Sequence, residues 1–228
     1  MPLPRSRNLI CLVTDRHCVA PSDGQSVDRL VELVGAAAHA GVDLIQIRER
    51  DLDAGALARL VRRSVAEVAG TNAKIIVNDR VDVAIAAGAH GVHLRGDSIG
   101  AIRVRQIVPA GFVVGRSVHG VEEAVAGGRR GGLDYLIFGT LYPTPSKGGT
   151  HSIATMASLA AVCTVLTIPV LAIGGITVER AEEVARTGAA GVAAIRLFVP
   201  PAGVSVDEHL RARVSGLRRV FDTCGAVT

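Results

Sequence analysis

AGVDLIQI at residues 40–47, AGAHGVHL at 87–94, GGLDYLIF at 131–138 and GAAGVAAI at 188–195 repeat one pattern. A glycine ends a helix, a short turn follows, and an apolar run begins. Glycine suits the position just past a helix because it enters the left-handed conformation without a Cβ penalty. Outward from these junctions, β-branched runs alternate with Ala-rich stretches. The expected strands lie at residues 9–15, 43–49, 73–79, 91–95, 112–119, 135–141, 169–175 and 191–197. Segments 27–40, 54–69, 178–187 and 209–221 carry apolar residues at helical period. Eight strands, each followed by a helix, predict a closed (β/α)8 TIM barrel of the α/β class rather than an open doubly wound sheet. No Pro- or Ser-rich linker breaks the rhythm. The chain therefore reads as a single domain over residues 1–228, with a core at about 9–200 and, after the Pro200-Pro201 pair, a C-terminal helix at about 205–222.

Composition agrees with that architecture. The 228 residues approach the ~250 typical of the fold. Hydrophobic residues make up 49%, aromatics only 3%, and Trp is absent, which suits layers of small and branched side chains on a parallel sheet. A net charge of +4, scattered along the chain without aromatic interleaving, argues against a nucleic-acid surface, whereas an anionic small molecule needs only a few local cations. The four cysteines, at 11, 18, 163 and 224, form no CxxC pair and have no His at metal-ligand spacing; Cys11 and Cys163 read as core residues. The N-terminal apolar stretch is too short for a signal peptide, and no run approaches the ~18 residues of a membrane span. A soluble, cytoplasmic protein is expected, with oligomeric state, a homo-oligomer included, left open.

In such a barrel the active site forms at the C-terminal ends of the strands. Strand two ends in QIRER, residues 46–50, and alternation places Gln46, Arg48 and Arg50 on one side. Polar residues there need partners or water, so the stretch reads as a cationic wall facing an anion, against the alternative of a structural ion pair at a solvated strand end. Strand three ends in VNDR, residues 77–80. Asp79 there reads equally as a Mg2+ ligand or a helix cap. Strand five ends in GRSVH, residues 115–119, where Ser117 and His119 share a face; His119 is a general acid or base, or a helix cap. His93, inside strand four, reads as a satisfied core or wall histidine rather than a catalyst. After strand six, residues 139–149 carry Thr144, Ser146 and Lys147 in a loop over the barrel mouth, suited to gripping a diphosphate. Gly174 and Gly175 precede a helix and expose amides to an anion, in the strand-seven and strand-eight region that usually holds phosphate in this fold, with Arg196 as a further contact.

LVTDR at 12–16, QIRER, VNDR followed by GAHGVHL, FGTLYPTPSK at 138–147 and AIGGIT at 172–177 together resemble the thiamine phosphate synthase/TenI family, over nearly the whole chain. The resemblance implies condensation of hydroxymethylpyrimidine diphosphate with a thiazole phosphate, with diphosphate released. It implies that Gln46, Arg48, Arg50 and Asn78 line the pyrimidine diphosphate site and that Asp79 is a metal ligand. It also implies that Ser117, Thr144 and Lys147 contact diphosphate or the reacting groups, and that Gly174 and Gly175 bind the thiazole phosphate. Three departures stand out. Where the synthases carry G-Q-x-D after the strand-four His, this chain has Asp97 one residue early and Ser98 at the Asp position, making Asp97 the candidate second Mg2+ ligand. Arg196 replaces the usual Ser, and Arg50 replaces Lys, keeping charge but not point geometry. GRSVHGVEEA at 115–124 also resembles the TenI branch, thiazole tautomerases in which His119 would transfer the proton. Intact QIRER and PTPSK favour the synthase, because a tautomerase has no diphosphate to hold. A non-catalytic binder of thiamine intermediates is a further alternative.

Overall fold

The computed structural model describes residues 8–19, 25–143 and 153–225. Eight parallel strands close into a barrel in chain order: β1 Leu9–Val13, β2 Leu44–Ile47, β3 Lys74–Asn78, β4 Gly91–Leu94, β5 Val113–Val118, β6 Tyr135–Phe138, β7 Val170–Ile173 and β8 Gly191–Ala194, with β8 pairing back onto β1. Helices α1 Arg16–Val19, α2 Ser26–Ala40, α3 Ala54–Glu67, α4 Val81–Ala86, α5 Ala101–Arg105, α6 Val121–Arg130, α7 Met156–Val165, α8 Ala181–Ala185 and α9 Val206–Gly225 surround it. Each strand stops short of its expected C-terminal bound. Among the described residues no helix is long and apolar enough to cross a membrane.

The junction repeat has a structural cause. Gly41, Gly88, Gly131 and Gly188 all take φ between 72° and 97°, turning the chain from helix to strand. At three of these junctions the side chain just before the strand reaches across to the neighbouring strand. Asp43 Oδ2 accepts the Ile10 N–H at 2.8 Å, and His90 Nδ1 accepts that of Ile75 at 3.0 Å. Asp134 Oδ2 likewise accepts the Val114 N–H at 2.7 Å. Arg218 of α9 pairs with Asp43, and Arg105 of α5 with Asp134, each at 2.5 Å, so the same carboxylates tie outer helices to the barrel floor. These are polar groups at strand starts that would otherwise be desolvated without partners. Other helix ends are closed by side chains: Asp53 accepts the Ala56 N–H at 2.8 Å, and Thr155 with Ser158 forms a capping box on α7.

Alternation divides the core in two. Ile10, Leu12, Ile45, Ile75 and Val77 face outward into a large cluster shared with the helices. Leu9, Cys11, Val13, Leu44, Ile76, Val113, Tyr135 and Leu171 form a separate cluster inside the barrel. Tyr135 has room there because its register partner is Gly115, where a Cβ would lie 2.2 Å from the phenol ring. Further along the same inward positions the residues become polar: Gln46, Asn78, His93 and Ser117. Apolar packing thus fills the floor of the barrel and polar chemistry the top.

Candidate active site

The strand C-termini surround a cavity of about 760 Å3. A shallower groove of about 430 Å3 lies on the outer helices, lined by Glu32, His39, Glu67 and Asp207, away from the strand ends. Gln46 of β2, then Arg48 and Arg50 beyond it, line one wall of the large cavity, as alternation predicts. Asn78 of β3 stands beside them, its Oδ1 3.5 Å from Gln46 Nε2. Arg48 is half-buried; burial and the neighbouring Arg50 charge pull its guanidinium below its ordinary range, only partly offset by Asp15 and Glu49. Among the described residues no carboxylate lies within salt-bridge distance of Arg48, Arg50 or Arg196. A half-buried Arg48 that repels Arg50, and that Asp15 and Glu49 compensate only in part, leaves this cavity wall complementary to an anion.

A buried knot behind the wall holds Arg48. Glu49 points away from the cavity and is almost fully buried. Its carboxylate accepts the Thr14 hydroxyl at 2.6 Å, the Arg16 backbone N–H at 3.2 Å and the Arg16 guanidinium at 3.1 Å. Thr14 Oγ1 in turn accepts the Arg48 N–H at 3.0 Å. Arg16 reaches on to the exposed Asp51, Nη1 to Oδ1 at 2.6 Å. Sequence reasoning assigned Glu49 and Arg16 no role. The available signal was a carboxylate out of phase with two arginines on a strand whose outward face is buried.

Opposite stand Gly174 and Gly175, with φ of 104° and 63°. Their loop packs so closely on the segment after β6 that a Cβ on Gly174 would lie 2.4 Å from Thr140 Cγ2, and one on Gly175 2.7 Å from Tyr142 Cβ. The carbonyls of Ile173, Gly174 and Gly175 accept bonds from Leu141, Tyr142 and Arg180. The amides of both glycines have no acceptor among the described residues and border the cavity. Arg196 follows β8 into a 3-10 turn, Arg196–Phe198, and borders the same space.

Asp79 and Asp97 lie at the β3–β4 edge. Asp79 takes φ of 64°, a left-handed conformation that Asp tolerates better than most residues. It accepts the Ser98 hydroxyl and sits 3.8 Å from Arg95, which also pairs with Asp97 at 2.7 Å. Arg95, another residue that sequence reasoning passed over, therefore joins the two expected ligands. Among the described residues no group of three or more His, Cys, Asp or Glu could hold a metal. An all-oxygen set of Asp79, Asp97 and the Ser98 hydroxyl still suits Mg2+, which takes one or two carboxylates and completes its shell with water and phosphate oxygens.

The capping alternatives do not hold. Helix α4 starts after Arg80 and α6 after Gly120, and neither has a side-chain cap. His119 instead donates from Nδ1 to the Gly139 carbonyl at 2.6 Å, while Glu123 holds its backbone N–H. A carbonyl only accepts, so the neutral ring keeps its lone pair on Nε2. Ser117 lines the cavity and bonds His93 at 2.8 Å; His93 bonds Tyr135 at 3.0 Å through its other nitrogen. His93 is thus the satisfied wall histidine expected, and burial pushes its pKa down to about 3, with Arg116 adding to the shift. Thr144, Ser146 and Lys147 lie outside the described residues.

A family model described as thiamine monophosphate synthase matches residues 10–198, from β1 to the 3-10 turn after β8. The thiamine-phosphate synthase of Roseiflexus castenholzii is 37% identical over 199 residues, covering 87% of this chain and 84% of the relative. That of Methanoculleus marisnigri is 37% identical over 190 residues, covering 82% and 89%. The solved thiamine phosphate pyrophosphorylase from Pyrococcus furiosus matches with a TM-score of 0.78 at 28% identity, covering 96% of this chain and 98% of that one. With a family match that spans both walls of the cavity, the chain belongs to the thiamine monophosphate synthase family.

Proposed function

We propose that this protein is a transferase that joins hydroxymethylpyrimidine diphosphate to a thiazole phosphate, forming thiamine phosphate and releasing diphosphate. The observation that carries the reading is one cavity with two anion-complementary walls, the Arg48–Arg50 side and the Gly174–Gly175 side. Gln46 and Asn78 offer neighbouring amides to the pyrimidine. Arg48 and Arg50, with Lys147, take the diphosphate; Thr144 and Ser146 add hydroxyl donors. The free amides of Gly174 and Gly175, with Arg196, take the monophosphate. The bond between the pyrimidine methylene and the diphosphate oxygen breaks, and its electron pair leaves with diphosphate. The thiazole nitrogen lone pair then forms the new C–N bond. No protein nucleophile is required; these residues orient two reactants and stabilise charge on the leaving group. Asp79 and Asp97 would hold Mg2+, with the Ser98 hydroxyl beside them, and the metal would supply further neutralisation of the departing diphosphate.

His119 supports a second reading. Its Nε2 lone pair makes it a base able to move a proton in a TenI-like tautomerase. One reaction containing both heterocycles, run with and without EDTA, separates the two. The synthase reading expects thiamine phosphate, lost with EDTA. Tautomerised thiazole that forms with EDTA and disappears in His119→Ala would support the second reading. Ligand binding by calorimetry without turnover would reduce the protein to a binder.

A further inference from the structure

Inside the barrel a polar chain climbs through the apolar packing to the cavity. Tyr135 and His93 are buried, and Ser117 is half-buried where the chain meets the cavity. His93 Nδ1 lies 3.0 Å from the Tyr135 hydroxyl, and Nε2 2.8 Å from Ser117 Oγ. Three strands, β4, β5 and β6, each supply one member, with Gly115 making room for the phenol ring.

The direction of this chain follows from counting protons. A buried phenol has one proton to donate, and among the described residues His93 Nδ1 is its hydrogen-bond partner. A proton on Nδ1 would force the phenol to accept and strand its own buried O–H without an acceptor. Tyr135 therefore donates to Nδ1. Neutral imidazole then carries its proton on Nε2 and donates it to Ser117 Oγ. With that lone pair occupied from behind, the Ser117 hydroxyl proton turns to the cavity. This polarity is opposite to that of a nucleophilic serine, whose histidine accepts the hydroxyl proton.

We propose that Tyr135 and His93 are positioning residues that fix Ser117 as a hydrogen-bond donor to an anionic oxygen of the bound diphosphate. The inference rests on reading the cavity as a diphosphate site. It assigns Ser117 binding and charge stabilisation and excludes it as a base or nucleophile.

Two measurements test it. Nitrogen NMR of protein labelled with 15N-histidine, with His93→Gln identifying the signals, reads which ring nitrogen bears the proton. The expected result is protonation at Nε2 in the wild type and loss of that selection in Tyr135→Phe, which keeps the ring volume. An Nδ1-protonated or doubly protonated His93 would overturn the proposal. The second is a double-mutant cycle. Tyr135→Phe should lower kcat/KM about threefold to tenfold, the worth of one hydrogen bond, but change it little when Ser117→Ala is already present. An equal loss in both backgrounds would mean that Tyr135 acts only through packing. Should the wild type show no turnover, the synthase reading falls, and the same cycle is run on the Kd for inorganic diphosphate, so the two failures remain distinct.

Discussion

Glu49→Ala should be among the costliest single changes outside the apolar core. The carboxylate is 4% exposed and holds the Thr14 hydroxyl, the Arg16 backbone N–H and the Arg16 guanidinium. Removing one partner of a buried ion pair costs about 3–5 kcal/mol. Here the Thr14 hydroxyl and the Arg16 backbone N–H also lose their acceptor, while the Arg16 guanidinium keeps only the exposed Asp51. For a chain of this size each kcal/mol moves Tm by about 2–4 °C, so Tm should fall by about 6–20 °C. Glu49→Gln keeps an acceptor for Thr14 but loses the charge, at about 1.5–3 kcal/mol. Asp51→Ala supplies the contrast. That carboxylate also bonds Arg16, whose guanidinium holds it below the usual carboxylate range, but its side chain is 53% exposed, so its loss should cost under about 1 kcal/mol. Calorimetric or fluorescence melts of the three variants check the order. The loss should also reach the site, since the Thr14 hydroxyl freed by Glu49→Ala no longer anchors the Arg48 backbone, and KM for the pyrimidine diphosphate should rise. A Glu49→Ala protein that melts with the wild type, or an Asp51→Ala that costs as much, would refute the reasoning.

Gly175→Ala places a Cβ at φ of 63° and 2.7 Å from Tyr142, combining a left-handed penalty of about 1–2 kcal/mol with a clash. Steady-state kinetics should show KM for the thiazole phosphate rising at least tenfold, while KM for the pyrimidine diphosphate stays within about twofold. Lys147→Ala should lower kcat strongly; near-normal turnover would remove that side chain from the mechanism. Stability should depend on pH through His93. Its folded pKa of about 3 lies below the ordinary 6.5, so only the unfolded chain takes up a proton between those values. The stabilisation is fully present above 6.5 and is lost as pH falls, by about 1.4 kcal/mol per unit. Urea midpoints at pH 7.5 and 5.0 measure this slope, which His93→Gln should flatten.

The barrel was legible because its signals are local. The glycine junctions mark every second strand, and the period change from helix to strand lies within short windows. The same locality revealed Gln46, Arg48 and Arg50, since alternation on one strand needs no partner, and each of them borders the cavity. What escaped depends on closure. The Glu49 knot exists because β1 and β2 run side by side, Val13 beside Gln46, which brings Thr14 and Arg16 over the end of β2. The Tyr135–His93–Ser117 chain needs the registers of β4, β5 and β6 together. Asp43, His90 and Asp134 were visible as parts of the repeat, but their bonds to the preceding strand are defined only once the strands pair. Asp79 and His119 each read locally as a cap or a functional group, and only the tertiary partners, Ser98 and Gly139, separate the capping reading from the other.

The proposed reaction needs two anions in one cavity. Calorimetric titration of a thiazole phosphate into protein already saturated with inorganic diphosphate and Mg2+ tests this directly. One equivalent should still bind, with affinity lost in Gly175→Ala and retained in Arg48→Ala. Mutual exclusion of the two ligands would contradict it.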